Sequence, residues 1–130
     1  MNNISSLERV IIQILISANI PFEKEKIFVD CYNGKYRYDF YLPGLRAVLE
    51  INGAQHYEFT SFFYKNKSDF KKAQERDRRK ISYCLAHNFA LYIIPYWEIS
   101  NIHSINDVLS EKFLALDKFH NDKVWRQQKN

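Results

Sequence analysis

The sequence predicts an α/β fold, a small mixed β-sheet sandwiched between helices. Three observations carry the prediction. Residues 5–18 and 67–88 repeat apolar side chains at intervals of three and four, as amphipathic helices do. Residues 26–31, 36–42 and 46–51 are aromatic and β-branched runs separated by Asn33-Gly34 and Pro43-Gly44, which reads as three strands and their turns. The run FALYII, 89–94, is continuously apolar, of strand length, and directly follows a helix, as a buried strand of a mixed sheet would. The expected order is therefore helix, three strands, helix, strand, helix.

In the first helix, Leu7, Val10, Ile11, Ile14, Leu15 and Ala18 make one stripe, and Ile12 and Ile16 widen it for contact with a sheet. Ser5 and Glu8 have capping-box spacing, and Asn19 and Pro21 end the element. Asn33-Gly34 suits the left-handed positions of a tight hairpin. On the following strand Tyr36, Tyr38 and Phe40 share one face and Arg37, Asp39 and Tyr41 the other. The segment RAVLEI forms the third strand, up to Asn52-Gly53. The long second helix buries Phe70, Ala73, Ile81, Cys84 and Leu85, with Asp77 inside the stripe. Pro95 stops the fourth strand. A last helix is expected over 105–119, with Val108, Leu109, Phe113 and Leu116 inward and a fraying polar end after Asn121.

Composition sets the outer bounds. At 130 residues, 46% hydrophobic and 26% charged with three Gly and three Pro, the chain fits one compact domain spanning 1–130. Two cysteines, Cys31 and Cys84, are too few for a zinc cluster and read as reduced core thiols. No apolar run reaches the roughly 18 residues of a membrane span and the start lacks a basic leader, so a soluble cytoplasmic protein with no membrane partner is expected. No repeat or low-complexity tract is present. The net charge of +4 permits a polyanionic partner. Eight of the basic residues and three acidic ones fall between Lys65 and Lys80, which concentrates the positive charge on the second helix.

The acids within apolar strands are the chemical signal. Asp39 and Glu50 lie on adjacent strands where they can meet at one sheet edge, and a carboxylate in a dry core must be hydrated, paired or bound to a cation. Converging, they would make an oxygen site of the kind Mg²⁺ takes. The alternative is a solvent-facing pair neutralised by Arg37 or Arg46. Glu8 borders the buried stripe and can point toward the same edge. Asp77 needs a partner: Arg76, Lys80 or a backbone donor in a structural role, or His56 in an active one. His56 and Gln55 follow the Asn52-Gly53 turn, where a histidine beside carboxylates becomes a candidate base or phosphate donor. His87, His103 and His120 are assigned to surface or helix ends. Lys65, Lys67, Lys72, Arg76 and Arg79 are candidates to meet backbone phosphates. The aromatics Tyr57, Phe59, Phe62, Phe63 and Tyr64 between turn and helix serve packing, or stack on a distorted or single-stranded substrate.

Taken together, RYDFYL, LEINGAQHY, QERDRRKISYC and IPYWE resemble the PD-(D/E)xK, or restriction-endonuclease-like, nuclease superfamily. The likeness is to the branch that includes very short patch mismatch-repair endonucleases and a class of phage homing endonucleases, and it covers residues 5 to about 100. It implies a three-layer core and Mg²⁺- or Mn²⁺-dependent hydrolysis of DNA phosphodiesters by an endonuclease, with a homodimer or a larger DNA-processing assembly among the forms such enzymes take. By resemblance, Asp39, Glu50 and the Ile51 carbonyl would hold the metal, which lowers the pKa of a bound water and neutralises phosphoryl charge. Glu8 matches the acid of the first helix, and Arg76, Asp77 and Lys80 lie on the helix beside the active site. One departure stands out: the lysine expected two residues after Glu50 is Asn52, which supplies no charge. Gln55 and His56 are the expected substitutes, with Lys80 the second choice and Asp77 in a supporting role. The rival readings are a catalytically inactive nucleic-acid-binding protein and a structural or inhibitory scaffold.

Overall fold

The computed structural model describes residues 6–53, 56–57 and 64–123. Helix α1 spans Ser6–Ser17, strands β1, β2 and β3 span Glu23–Ile27, Arg37–Leu42 and Ala47–Asn52, and helix α2 spans Lys67–Ala86. Strand β4 is Ala90–Pro95 and a one-turn helix, α3, is Ile105–Val108. The sheet order is β1-β2-β3-β4; the first two pairings are antiparallel and β3 and β4 run parallel, with α2 in the crossover between them. The α/β class and the element order match the expectation.

The sheet separates two cores. On one side Ile11 and Leu15 of α1 pack against Phe40, Leu42, Leu49 and Ile94, together with Val108 and Phe113. Full burial of side chains such as Ile11 and Leu15 contributes about 1.5–3 kcal/mol each. On the other side Ile81 and Cys84 of α2 cover Tyr38, Val48, Leu91 and Ile93. Because β3 is covered on both faces, it reads AVLEIN with almost no polar alternation, and its one acid, Glu50, is buried with the rest.

Several expectations need correction. Tyr38 and Phe40 do not share a core: Tyr38 packs under α2 and Phe40 under α1, so the alternation of β2 breaks at Asp39 between them. The predicted two-residue hairpin is a longer connection over 28–36. Tyr32, Asn33 and Gly34 all have positive φ (48°, 58° and 71°) there, and Phe28 and Cys31 fold beneath α2 rather than extending β1. Strand β1 accordingly lies over 23–27 instead of 26–31. Leu85 is exposed, because the buried stripe of α2 runs Ala73, Asp77, Ile81, Cys84 and leaves position 85 at its margin.

The long final helix is also absent. After α3 the chain goes extended at Ser110, makes a 3₁₀ turn at Glu111–Phe113 and bridges Leu114 to Tyr92, with Ala115 N–H donating to the Leu91 carbonyl at 2.9 Å. This segment covers the outer edge of β4 and leaves Leu116 exposed. Residues 120–123 are helical, and Asp122 accepts from Arg78 Nη2 at 2.9 Å; the rest of the end expected to fray, 124–130, lies outside the described residues. Among the described residues no helix is long and apolar enough to cross a membrane.

Candidate active site

Asp39 occupies an interruption in two ladders. The β1–β2 pairing runs from Lys26↔Tyr38 to Lys24↔Phe40 and skips Glu25, whose φ is +53°. The β2–β3 pairing ends at Phe40↔Leu49, one step before Asp39 would oppose Glu50. Carboxylates replace the missing ladder bonds. Glu50 Oε1 accepts from Asp39 N–H at 2.8 Å, and Asp39 Oδ2 accepts from Ile51 N–H at 2.7 Å. Since a strand residue presents its N–H and C=O to the same edge, the Ile51 carbonyl faces the Asp39 side as well. Two acids and one carbonyl thus share the end of a β-hairpin.

The second carboxylate oxygen of Glu50 is taken by a cation. Lys80 Nζ of α2 donates to Glu50 Oε2 at 2.9 Å, both side chains being nearly buried, and lies 4.9 Å from the Tyr38 ring centroid. Tyr38 in turn donates its hydroxyl to the Lys80 carbonyl at 2.8 Å, tying β2 to that turn of helix. Neither arginine considered for neutralising Glu50 does so: Arg37 lies 3.9 Å from Glu25, and Arg46 reaches the His87 carbonyl and the Phe89 ring. Burial, then the neighbouring Glu50 charge, push the Asp39 carboxyl up to about 7, against the Ile51 N–H and the Lys80 charge. Glu8 adds to that repulsion, which places it near the same edge, and it pairs with Lys24 at 3.2 Å. Its proposed cap partner Ser5 lies outside the described residues.

Asp77 and His56 form a second pair. His56 Nδ1 lies 2.8 Å from Asp77 Oδ2, Asn121 Nδ2 donates to the same oxygen at 3.4 Å, and Arg76 Nε stands 3.6 Å from Oδ1. With Nδ1 protonated toward Asp77, the other ring nitrogen of His56 carries a lone pair. A small cavity of about 10 Å³, room for roughly one water, is lined by Glu50, Asn52, Asp77, Lys80 and Asn121 and joins the two pairs. Asn52 is buried at the end of β3; the buried Tyr57 hydroxyl lies toward it and closes no hydrogen bond of ordinary geometry. Tyr57 packs on Trp97 at 5.1 Å between centroids.

Of the predicted residues, Asp39, Glu50, Ile51, Lys80, Asp77 and His56 come together, with Glu8 at the margin. Gln55, Phe59, Phe62 and Phe63 lie outside the described residues. Among the described residues no three His, Cys, Asp or Glu side chains converge on one point. The donor set is instead two carboxylates and a backbone carbonyl, all oxygen, which suits a hard ion that keeps several waters. Sequence reasoning missed Asn121, for which a polar tail gives no signal. It ranked Lys80 second because nothing in the chain says which turn of a basic helix faces the strands.

The other cations of α2 divide by face. Lys72, Arg76 and Arg79 line a groove of about 440 Å³ with Lys35, Tyr36 and Tyr64, and the same lining carries Asp69 and Glu75. Lys65 and Lys67 are exposed and stand apart from it. Arg78 is spent on Asp122 and Glu75.

Three viral proteins are similar to parts of this chain. Uncharacterized protein 307L of Invertebrate iridescent virus 6 is 45% identical over 58 residues, which is 45% of this chain and 29% of that protein. Uncharacterized protein 033L of Invertebrate iridescent virus 3 is 32% identical over 76 residues, 58% of this chain and 34% of that protein. Uncharacterized protein 094L of Frog virus 3 (isolate Goorha) is 37% identical over 59 residues, 45% of this chain and 38% of that protein. The chain therefore spans about a third of the length of the curated relatives it matches. No family model matches it, and no solved structure does.

Proposed function

We propose that this chain is a divalent-metal-dependent endonuclease that hydrolyses DNA phosphodiester bonds on a restriction-endonuclease-like core. The observation that carries the reading is the cluster at the open end of the β2–β3 hairpin: Asp39 and Glu50 bonded to one another's strands, with Lys80 on the free oxygen of Glu50. A structural ion pair needs one acid. Here a second acid, Asp39, is held beside it at a cost that its raised pKa records, and such cost concentrates where chemistry is done.

Asp39, Glu50 and the Ile51 carbonyl would hold Mg²⁺ or Mn²⁺, which when bound supplies positive charge to the phosphoryl oxygens. Lys80 supplies the charge that Asn52 cannot, entering from α2 instead of β3. His56, oriented by Asp77 through Nδ1, accepts a proton from attacking water at its other ring nitrogen. Asn121 and Arg76 hold Asp77 in place. Lys72, Arg76 and Arg79 position the DNA backbone without reading its sequence.

The test compares wild type with Glu50→Ala on linear, nicked, single-stranded and branched DNA in Mg²⁺, Mn²⁺ or EDTA. Cutting is expected only with metal, and it is expected to vanish in the variant. Cutting that persists unchanged in Glu50→Ala would point to contamination or to another site, and binding without cutting in either metal would replace this reading with an inactive DNA-binding fold.

A further inference from the structure

We propose that the groove on the outer face of α2 binds an unpaired DNA segment, with phosphates on its cations and bases stacked on tyrosines at its rim. The choice of DNA rests on the endonuclease reading; the choice of an unpaired strand rests on the groove. Lys72, Arg76 and Arg79 follow one another at four- and three-residue spacing, which puts them on one side of about 10 Å of helix. Lys35 faces them from the 28–36 connection, so the cations line both walls. Four basic side chains stand against Asp69 and Glu75, and Glu75 is already engaged by Arg78 and Arg79.

The aromatic side chains decide between strand and duplex. Tyr64 is part of the lining and half-buried, Tyr36 is buried beneath it, and Tyr32 stands at the rim, 46% exposed, its ring edge-on to Tyr36 at 5.6 Å. The Arg79 guanidinium sits 5.4 Å from the Tyr32 centroid, and Arg79 Nη1 is 3.5 Å from the Tyr36 hydroxyl. Tyr32 is held at φ +48°, a conformation that strains a bulky side chain, and its ring is open to solvent. A duplex offers a protein phosphates and groove edges but no free base faces, so it uses the cations alone. An unpaired strand uses both, because every base has a face to stack and stacking tolerates any sequence. A volume of about 440 Å³ is of ligand size, far less than a double helix would fill.

The groove and the catalytic cluster are carried by adjacent positions of the same helix, α2. Arg76 and Arg79 line the groove, while their neighbours Asp77 and Lys80 turn inward to His56 and Glu50. A strand laid in the groove would therefore run beside the scissile position. This selects substrates with a flap, gap or branch next to the bond that is cut.

The test is fluorescence anisotropy with the full chain in EDTA, which separates binding from cleavage. The probes are a labelled mixed-sequence single strand, the same strand as RNA, and the blunt duplex of equal length. The single DNA strand is expected to bind at least tenfold more tightly than the duplex. Tyr32→Asn, which removes the ring but tolerates the left-handed backbone, is expected to weaken the single strand about tenfold and to leave the duplex unchanged. Lys72→Glu is expected to weaken both, and rising salt to weaken both further. Equal or tighter binding of the duplex overturns the proposal, as does single-strand affinity indifferent to Tyr32→Asn in a variant with wild-type thermal stability. Tighter binding of the RNA than of the DNA strand overturns the choice of DNA. Single-strand preference in a chain that never cuts would remove the endonuclease reading and leave the groove assignment standing; cutting without that preference would do the reverse.

Discussion

Lys80 Nζ lies 2.9 Å from Glu50 Oε2, so α2 delivers to the hairpin the positive charge that position 52 lacks. Replacing it with methionine removes that charge while keeping the bulk of the stem. Lys80→Met is expected to lower kcat for DNA cleavage roughly 10²–10³-fold, the loss typical of one charge-stabilising donor, with little change in DNA affinity. It is also expected to destabilise the fold by about 3–5 kcal/mol, since it leaves Glu50 buried and unpaired. The double variant Glu50→Gln/Lys80→Met should recover most of that stability and none of the activity. Urea denaturation and single-turnover cleavage separate the two effects.

Asp39 makes stability depend on pH in an unusual direction. Its carboxyl rises from 3.8 to about 7 on folding, so between those values the folded chain holds a proton that the unfolded chain has lost. Stability attributable to this group is therefore intact below about pH 4 and declines as pH rises toward 7, by a few kcal/mol in all. Thermal melts in EDTA are expected to show a higher Tm at pH 5.5 than at pH 7.5 from this source. Asp39→Asn is expected to flatten that difference. Mg²⁺ or Mn²⁺ should raise Tm at pH 7.5 in the wild type and not in Asp39→Asn.

The His56–Asp77 pair separates orientation from proton transfer. His56→Ala is expected to reduce kcat roughly 10²–10⁴-fold, the span of a lost general base. Asp77→Asn keeps the shape but offers an amide to Nδ1, which disturbs the tautomer; it is expected to lower kcat with an altered pH–rate profile and an unchanged KM. A variant with wild-type kcat at every pH would remove Asp77 from the site.

Tyr38→Phe deletes one hydroxyl between β2 and α2. The lost bond to the Lys80 carbonyl is expected to cost about 1 kcal/mol, read by urea denaturation. Because the same turn of helix carries the Lys80 side chain, a modest fall in kcat is expected to accompany it.

What the sequence made legible was periodic. Strand runs, amphipathic helices and the apolar 89–94 segment follow from spacing, and the element order came out as expected. The acids on β2 and β3 were legible because each interrupts an apolar pattern. What stayed hidden depends on the third dimension. Whether Lys80 or Arg79 turns inward is a difference of about one hundred degrees on a helix, and eight basic residues in sixteen positions leave it undetermined. The break at Asp39, which sends Tyr38 and Phe40 to opposite cores, coincides with two side chains standing in for backbone bonds and with the left-handed Glu25 across from it. The last helix failed because Ser110 and the β4 edge draw the chain into extended form, a tertiary demand that local spacing does not encode.

The outermost strand carries a consequence for assembly. Its sequence is EKEKI, and a left-handed Glu25 bends it midway, while the opposite margin of the sheet is already capped by Leu114 and Ala115. Alternating charge and a kink are what discourage a foreign strand from joining. Two copies gathering to sever both strands of a helix would therefore have to meet through helical or loop surfaces, and the molecule is guarded at its margins against fibre-like stacking.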